Sequence, residues 1–317
     1  MNHIVTLTMN PALDTYLSGA TFRTSKIRCS VTGCGPGGGG VNVARAIRKL
    51  GGIARAAVVV GGASGARLLH MLEERGVPHH DIWVEGETRG TFIVFDRESK
   101  RRYHLIIEGA AMQPAEWRCA LDLLGELARP ESFVVLSGSL PPGVPDDFYA
   151  QAAAIAKERG SRVAVDTSGP ALAAVMAEGV WLAKPNAHEL ATVAGRELST
   201  FGERRAAAER LVSEGAADIV AATFGAQGSL IVTQDGEWVA DAPPIQPESE
   251  VGAGDSFLGA LLLALSDGRA IDDSVAYAVA AAGSALSRSG PGLCDRDETE
   301  RLYALIRARD GVRPLPS

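Results

Sequence analysis

The segment "VGAGDSFLGALLLAL" (251–265) sets one carboxylate, Asp255, behind a Gly-Ala-Gly turn and ahead of an apolar helical run. A helix opening this way points unpaired N–H groups and the positive end of its dipole at whatever lies in front of it, which favours an anion or a developing negative charge. Asp255 then has two readings. It is a base beside that anion hole, or an acid that only complements the helix dipole. In "LAKPNAHEL" (182–190), Lys184 and Asn186 stand at the end of an apolar run, with Glu189 three residues after Asn186. That spacing suits polar groups reaching a phosphate and a carboxylate reaching Mg²⁺ through water, and it equally suits a capping box. In "GPGGGGVNVARAIRKLGG" (35–52), four successive glycines precede a helix expected to start near Val41, so backbone N–H groups can approach a polar ligand with the Asn42 amide on the same edge. "ATFGAQGSL" (222–230) supplies glycines where a nucleotide's phosphates or ribose would lie, or simply a tight turn.

Other motifs are excluded. "GCGPGG" (33–38) has the G-x-G-x-x-G pattern, but a dinucleotide site needs an acid about 20 residues further on, and none is there. The chain contains no Gly-Lys dipeptide and therefore no P-loop, and it lacks the H-R-D and D-F-G elements of protein kinases.

The elements that must position these residues follow from periodicity. "SFVVLSG" (132–138), "RVAVDTSG" (162–169), "GVWLAKPN" (179–186) and "DIVAATFG" (218–225) read as buried strands. They alternate with helical stretches such as "PDDFYAQAAAIAKERG", "NAHELATVAG" and "GERRAAAERLVSEG". Alternation of this kind predicts an α/β fold with a mostly parallel sheet covered on both faces, and such sheets bind ligands at the carboxyl ends of their strands. Those ends are Ser137–Gly138, Asp166, Lys184–Asn186 and Thr223–Gly225. Residues 13–33 and 82–108 read as strands without helices, and predict a small discontinuous β lid over one large domain spanning 1–317. The tail "GVRPLPS" reads as frayed.

Composition sets the frame. With 317 residues, 46% hydrophobic and 22% charged, the chain has the makings of an ordinary globular core. No apolar run is long enough to span a bilayer, and the opening "MNHIVTLTMNP" lacks the pattern of a secretory signal. Cys29, Cys34, Cys119 and Cys294 form no C-x-x-C pair, so reduced thiols and a cytoplasmic location are expected. A net charge of −7 argues against nucleic acid as a partner. That total hides an imbalance: from Thr15 to Leu72 there is no Asp or Glu, while Arg23, Lys26, Arg28, Arg45, Arg48, Lys49, Arg55 and Arg67 all fall inside. Arg48, Lys49, Arg55 and Arg67 are expected to solvate surfaces, and the remainder make a candidate anion site.

Taken together, "GGGGVNVARAI", "SGSLPPGV", "KPNAHE" and "VGAGDS" resemble, in order and spacing, the PfkB (ribokinase-like) family of sugar kinases over nearly the whole chain. "TLTMNPALD" and "GLCDRDETERLYALI" point to the phosphofructokinase branch of that family. The resemblance implies a three-layer α/β/α domain and an ATP-dependent, Mg²⁺-dependent kinase acting on a phosphorylated ketohexose. Fructose 6-phosphate is preferred, with tagatose 6-phosphate and fructose 1-phosphate as alternatives. A free-sugar or nucleoside kinase, or a non-catalytic binding homologue, stands further off.

The resemblance also implies roles. Asp255 is the base, and Gly252, Ala253 and Gly254 form the anion hole. Asp14, Gly38, Gly39 and Asn42 contact the sugar, while Lys26, Arg28 and Arg89, with Ser139 nearby, meet its phosphate. Lys184, Asn186, Thr223, Gly225, Gly228 and Gly283 form the ATP side, with Glu189 reaching Mg²⁺ through water and Ser249 and Val251 holding K⁺. A homodimer joined through the lid is implied, with Lys26 reaching a neighbour's site. Glu250 and His104 depart from the family pattern, in which Thr and Arg are usual, and "SRSGPG" (287–292) is shorter than the usual cation loop.

Overall fold

A run such as "FVVLS" has no polar face, so it is stable as a strand only between two covering layers. The computed structural model describes residues 3–19, 26–248, 251–288 and 292–316, and places this run near the middle of a ten-stranded sheet. In chain order the strands are β1 (Ile4–Thr8), β2 (Ala12–Gly19), β3 (Cys29–Gly37), β4 (Ala54–Val60), β5 (His79–Trp83), β6 (Arg89–Asp96) and β7 (Arg102–Ile106). They continue as β8 (Phe133–Ser137), β9 (Arg162–Asp166), β10 (Val180–Ala183), β11 (Ala217–Thr223), β12 (Ser229–Thr233), β13 (Glu237–Ala240) and β14 (Val312–Pro314). The helices are α1 (Gly39–Lys49), α2 (Gly62–Glu74), α3 (Pro114–Leu127), α4 (Phe148–Glu158) and α5 (Gly169–Glu178). After them come α6 (Ala187–Ala194), α7 (Phe201–Ser213), α8 (Ala253–Ser266), α9 (Ile271–Leu286) and α10 (Arg296–Ala308).

The large sheet runs β14-β13-β12-β11-β10-β9-β8-β1-β4-β5. From β11 to β5 all pairings are parallel, and β12, β13 and β14 are added antiparallel. Strand alternation divides the core in two. Phe133 and Val135 face the layer built from α1, α2, α8, α9 and α10, while Val134 and Leu136 face α3 to α7. Each such side chain is worth about 1.5–3 kcal/mol over an exposed one, so a one-residue slip of β8 would forfeit both layers together. Helix ends follow local chemistry: Thr200 and Glu203 form a capping box at α7, and Asn186 and Glu189 form another at α6, which Gly195 closes in the left-handed region (φ 67°).

A second sheet, in the order β3-β2-β6-β7, is formed by segments separated in sequence. Strands β2 and β6 pair in parallel, and each carries an antiparallel neighbour. Its later segment starts at Arg89, because residues 79–83 belong to β5 at the edge of the large sheet. Residues 20–25 lie outside the described part. The sheet leaves Val31, Leu105, Ile106 and Ile107 uncovered, each at least half exposed.

The C-terminal tail differs from its reading as frayed. Val312 to Pro314 pair with β13, and the Leu315 N–H donates to the Glu237 carbonyl at 2.9 Å. An edge strand with open hydrogen-bonding groups recruits the tail, although the tail's two prolines argue against regular structure. Among the described residues, no helix is long and apolar enough to cross a membrane.

Candidate active site

Parallel neighbours end on the same side of a sheet, so β1, β8, β9, β10 and β11 deliver their C-terminal residues to one edge. Along that edge stand Ser137 ending β8 and Ser139 after it, Asp166 ending β9, Lys184 and Asn186 after β10, and Thr223 ending β11. Two main-chain hydrogen bonds knit it together: Gly138 N–H to the Asp166 carbonyl at 3.0 Å, and Thr223 N–H to the Pro185 carbonyl at 3.0 Å. An isolated bridge pairs Asn186 with Thr223.

Helix α8 points its N-terminus at this edge. Its cap, Gly252, takes φ 79°, and a Cβ there would also lie 2.6 Å from Leu293, so only glycine fits. Ala253, Gly254 and Asp255 form the first turn, where helical N–H groups have no intrahelical partner. Lys184 is buried and its ammonium lies 3.1 Å from Asp166 Oδ1. A Cβ at Gly254 would fall 3.4 Å from that ammonium, which places the positive charge at the mouth of the helix. Burial pulls the Lys184 proton affinity down, but Asp166, Glu189 and Asp255 together push it up and win, so Lys184 stays charged.

Asp255 has the opposite problem. Burial, and then the charge of Asp166, push its pKa up to about 7, against the pull of the Asn42 hydrogen bond, Lys184 and Arg45. Asn42, on α1, donates Nδ2–H to Asp255 Oδ2 at 3.0 Å. Asp14, on β2, faces the same space, with its carboxyl pushed up to about 6 by burial against Arg45, Arg89 and Thr91. Half-buried Arg89, at the start of β6, donates to the Asn10 carbonyl at 3.2–3.3 Å, and Asn10 Nδ2 donates to Ser139 Oγ at 3.2 Å.

The glycine run owes much of its composition to packing. Gly38 has φ 108°, a Cβ on Gly37 would strike the Asp14 carboxylate, and a Cβ on Gly39 would strike Ser137 Oγ. Glycines at these points let the α1 N-terminus and the end of β3 close on β1 and β8, which carries Asn42 to Asp255.

The fold therefore brings Asp14, Gly38, Gly39, Asn42, Arg89, Ser139, Lys184 and Gly252 to Asp255 around one cleft. Asn186 and Glu189 lie further along the edge and are engaged with each other: Asn186 N–H donates to Glu189 Oε2 at 2.8 Å, and Glu189 N–H to Asn186 Oδ1 at 2.9 Å. Gly225 sits exposed in the turn after β11, and Gly228 is packed so closely under Ala240 that a side chain would not fit. Gly283 is buried on α9 against Pro243 and Leu302. Val251 precedes the Gly252 cap; Ser249 and Glu250 lie outside the described residues, as does much of the 287–292 loop. Lys26 and Arg28 are exposed just before β3, whose length from Cys29 to Gly37 is roughly 26 Å, and do not converge on Asp14, which pairs with Gly35 near the other end, within one subunit. His104 is exposed on β7, opposite Ile93.

Two residues have partners that the sequence reading did not give them. Asp166 was only a strand end, because nothing local shows that it meets Lys184. Arg45 was one base among eight, although its place one helical turn after Asn42 was a usable signal.

An α/β sheet with a buried carboxylate at a helix N-terminus and a second sheet beside the cleft defines a class, and the chain belongs to it: the pfkB family carbohydrate kinases, whose family match covers residues 5–298. Its architecture is the ribokinase-like one. Among individual proteins, it is 38% identical over 303 residues to the ATP-dependent 6-phosphofructokinase isozyme 2 of Mycobacterium tuberculosis, covering 95% of this chain and 89% of that one. Phosphofructokinase-2 from Escherichia coli in complex with potassium superposes with a TM-score of 0.94 at 37% identity, covering 97% of this chain and 100% of the other. The same E. coli protein in complex with fructose-6-phosphate superposes at 0.92 with 36% identity and the same coverage.

Proposed function

We propose that this chain is an ATP-dependent 6-phosphofructokinase, transferring the γ-phosphoryl group of ATP to a hydroxyl of fructose 6-phosphate to give fructose 1,6-bisphosphate. The observation that carries this reading is the Asp255 carboxylate in the first turn of α8, held by Asn42 at 3.0 Å. Phosphoryl transfer asks a protein mainly for positioning and charge stabilisation. As the acceptor oxygen bonds to the γ-phosphorus and the bond to the ADP oxygen breaks, the hydroxyl proton passes to Asp255, and from there to solvent. A carboxylate with a pKa near 7 is matched to that task. The N–H groups of Ala253, Gly254 and Asp255, with Lys184 beside them, face the charge on the transferring group.

Asp14, Asn42 and the backbone at Gly38 and Gly39 hold the sugar hydroxyls in this reading. Arg89 meets the phosphate already on the sugar, with Ser139 next to it. Lys26 and Arg28 are too far to serve their own subunit, and in a homodimer joined through the second sheet they reach the partner's cleft instead. Asn186, Thr223, Gly225, Gly228 and Gly283 line the nucleotide side. Among the described residues no group of three or more His, Cys, Asp or Glu side chains forms a metal cage. That suits Mg²⁺, which keeps its waters and takes one or two carboxylates with substrate phosphates. Glu189, raised in pKa by burial and by Asp166 despite its hydrogen bond to Asn186, is the group that would hold it through water. When bound, the ion neutralises phosphate charge. The E. coli protein's complex with potassium supports K⁺ as a ligand of this chain too, and Val251 is the described residue we assign to it.

An acceptor panel tests the proposal. With ATP and Mg²⁺, fructose 6-phosphate is expected to give the highest kcat/KM among fructose 6-phosphate, tagatose 6-phosphate, fructose 1-phosphate, fructose and a set of nucleosides. A higher value for fructose or a nucleoside overturns it.

A further inference from the structure

We infer that Arg45 is a positioning residue for the base: it fixes the rotation of the Asn42 amide that holds the Asp255 carboxylate. The inference rests on the proposed role of Asp255. Arg45 lies on α1 three residues after Asn42, on the same helix face, and is 9% exposed. Among the described residues it forms no salt bridge. Its guanidinium instead donates from Nη1 to the Pro36 carbonyl at 2.5 Å and to Asn42 Oδ1 at 2.9 Å. Asn42 Nδ2 in turn donates to Asp255 Oδ2 at 3.0 Å.

The chemistry of the three groups allows one arrangement. A guanidinium only donates, an ionised carboxylate only accepts, and an amide has one accepting and one donating end. With Arg45 on one side and Asp255 on the other, the amide oxygen must face the arginine and the NH₂ must face the carboxylate. A half-turn of the amide would set donor against donor and acceptor against acceptor, losing two charge-assisted bonds. Without Arg45 that half-turn costs far less, and Asn42 is free to turn its oxygen to a protonated Asp255. Through Pro36 the same guanidinium also ties α1 to β3, so the second sheet and the base share one fixed reference.

The chain of bonds predicts a sign. Arg45 favours ionised Asp255 through its charge and by orienting the Asn42 donor, so removing it raises the proton affinity of Asp255. The other groups acting on Asp255 are Asp166 at the end of β9 and Lys184 after β10. Those acting on Arg45 are Asp14 and Tyr16 of β2 and Arg75 after α2, besides Asp255 itself. None of these is altered by a substitution at position 45.

The experiment is a carboxyl titration by ¹³C NMR of protein labelled at aspartate, without acceptor, using Asp255→Asn to assign the signal. Arg45→Met, which keeps bulk and loses donor and charge, is expected to move the Asp255 midpoint up by about one unit, a tenfold change in proton affinity, or more. Arg45→Lys, which keeps the charge and one donor, should stay within about half a unit of wild type. The acid limb of kcat should follow the midpoint while KM for ATP stays within about twofold. Coincident midpoints in wild type and Arg45→Met, whatever happens to kcat, overturn the inference, as does an equal shift in Arg45→Lys. If Arg45→Met does not fold, Arg45→Gln takes its place: an upward shift supports the inference, and no shift overturns it. The titration needs no turnover, so a wild-type protein inactive on sugar phosphates would overturn the proposed function and leave this result legible.

Discussion

Asp255 shows how a site residue is held away from its own stability optimum. A folded-state pKa near 7, against 3.8 for an aspartate free in water, means that folding disfavours the ionised form that a base requires. The folded state therefore loses stability as pH rises from about 4 to 7, where the unfolded chain has released this proton and the folded chain has not. Asp255→Asn removes that penalty together with the proposed base. Its kcat is expected to fall by about 10²–10⁴, while its Tm exceeds wild type by roughly 2–5 °C at pH 7.5. The Tm gap should close toward pH 4. Steady-state kinetics and a calorimetric pH series check both halves, and near-normal turnover would remove Asp255 from its proposed role.

At the scale of elements, the site depends on how closely the α1 N-terminus approaches the large sheet. Gly39 leaves no room for a methyl group: a Cβ there would be 2.8 Å from the Gly138 N, besides its clash with Ser137 Oγ. The glycine run reads in sequence as a surface for ligand, and the fold adds a packing reason for the same residues. Gly39→Ala is expected to cost about 1–3 kcal/mol in urea unfolding. It should also lower kcat, because lifting α1 from β8 carries Asn42 away from Asp255. An unchanged unfolding midpoint would show that β8 yields without cost.

At the scale of the whole molecule, the second sheet turns one face into the cleft and leaves Val31, Leu105, Ile106 and Ile107 uncovered on strands β3 and β7 and just beyond. Large apolar side chains left exposed on both outer strands of one sheet mark it as an interaction element. In the proposed homodimer they meet their counterparts, and the same contact brings Lys26 and Arg28 to the neighbouring cleft. Leu105→Glu, on the face of the sheet turned away from Asp14, is expected to yield monomers by light scattering at micromolar concentration. KM for fructose 6-phosphate should rise by about tenfold or more, since a monomer lacks the partner's cations. A variant that stays dimeric, or a monomer with unchanged KM, would contradict that arrangement.

Local chemistry in the sequence determined the parallel α/β architecture, the capping box at Asn186 and Glu189, the turn-then-acid opening of α8 and the strand character of the second sheet. Each depends on residues a few positions apart, so periodicity and spacing are enough to read it. Only tertiary structure decided which distant groups meet. Asn42 and Asp255 are 213 residues apart in the chain and 3.0 Å apart in space. Lys184 finds Asp166 because two parallel strands end side by side. The pairing of the tail with β13, the bonds of Arg45, and the distance separating Lys26 and Arg28 from their own cleft were likewise out of reach. Composition gave the acid-free stretch of 15–72 its positive charge, but the direction of each strand decides where every cation in it points.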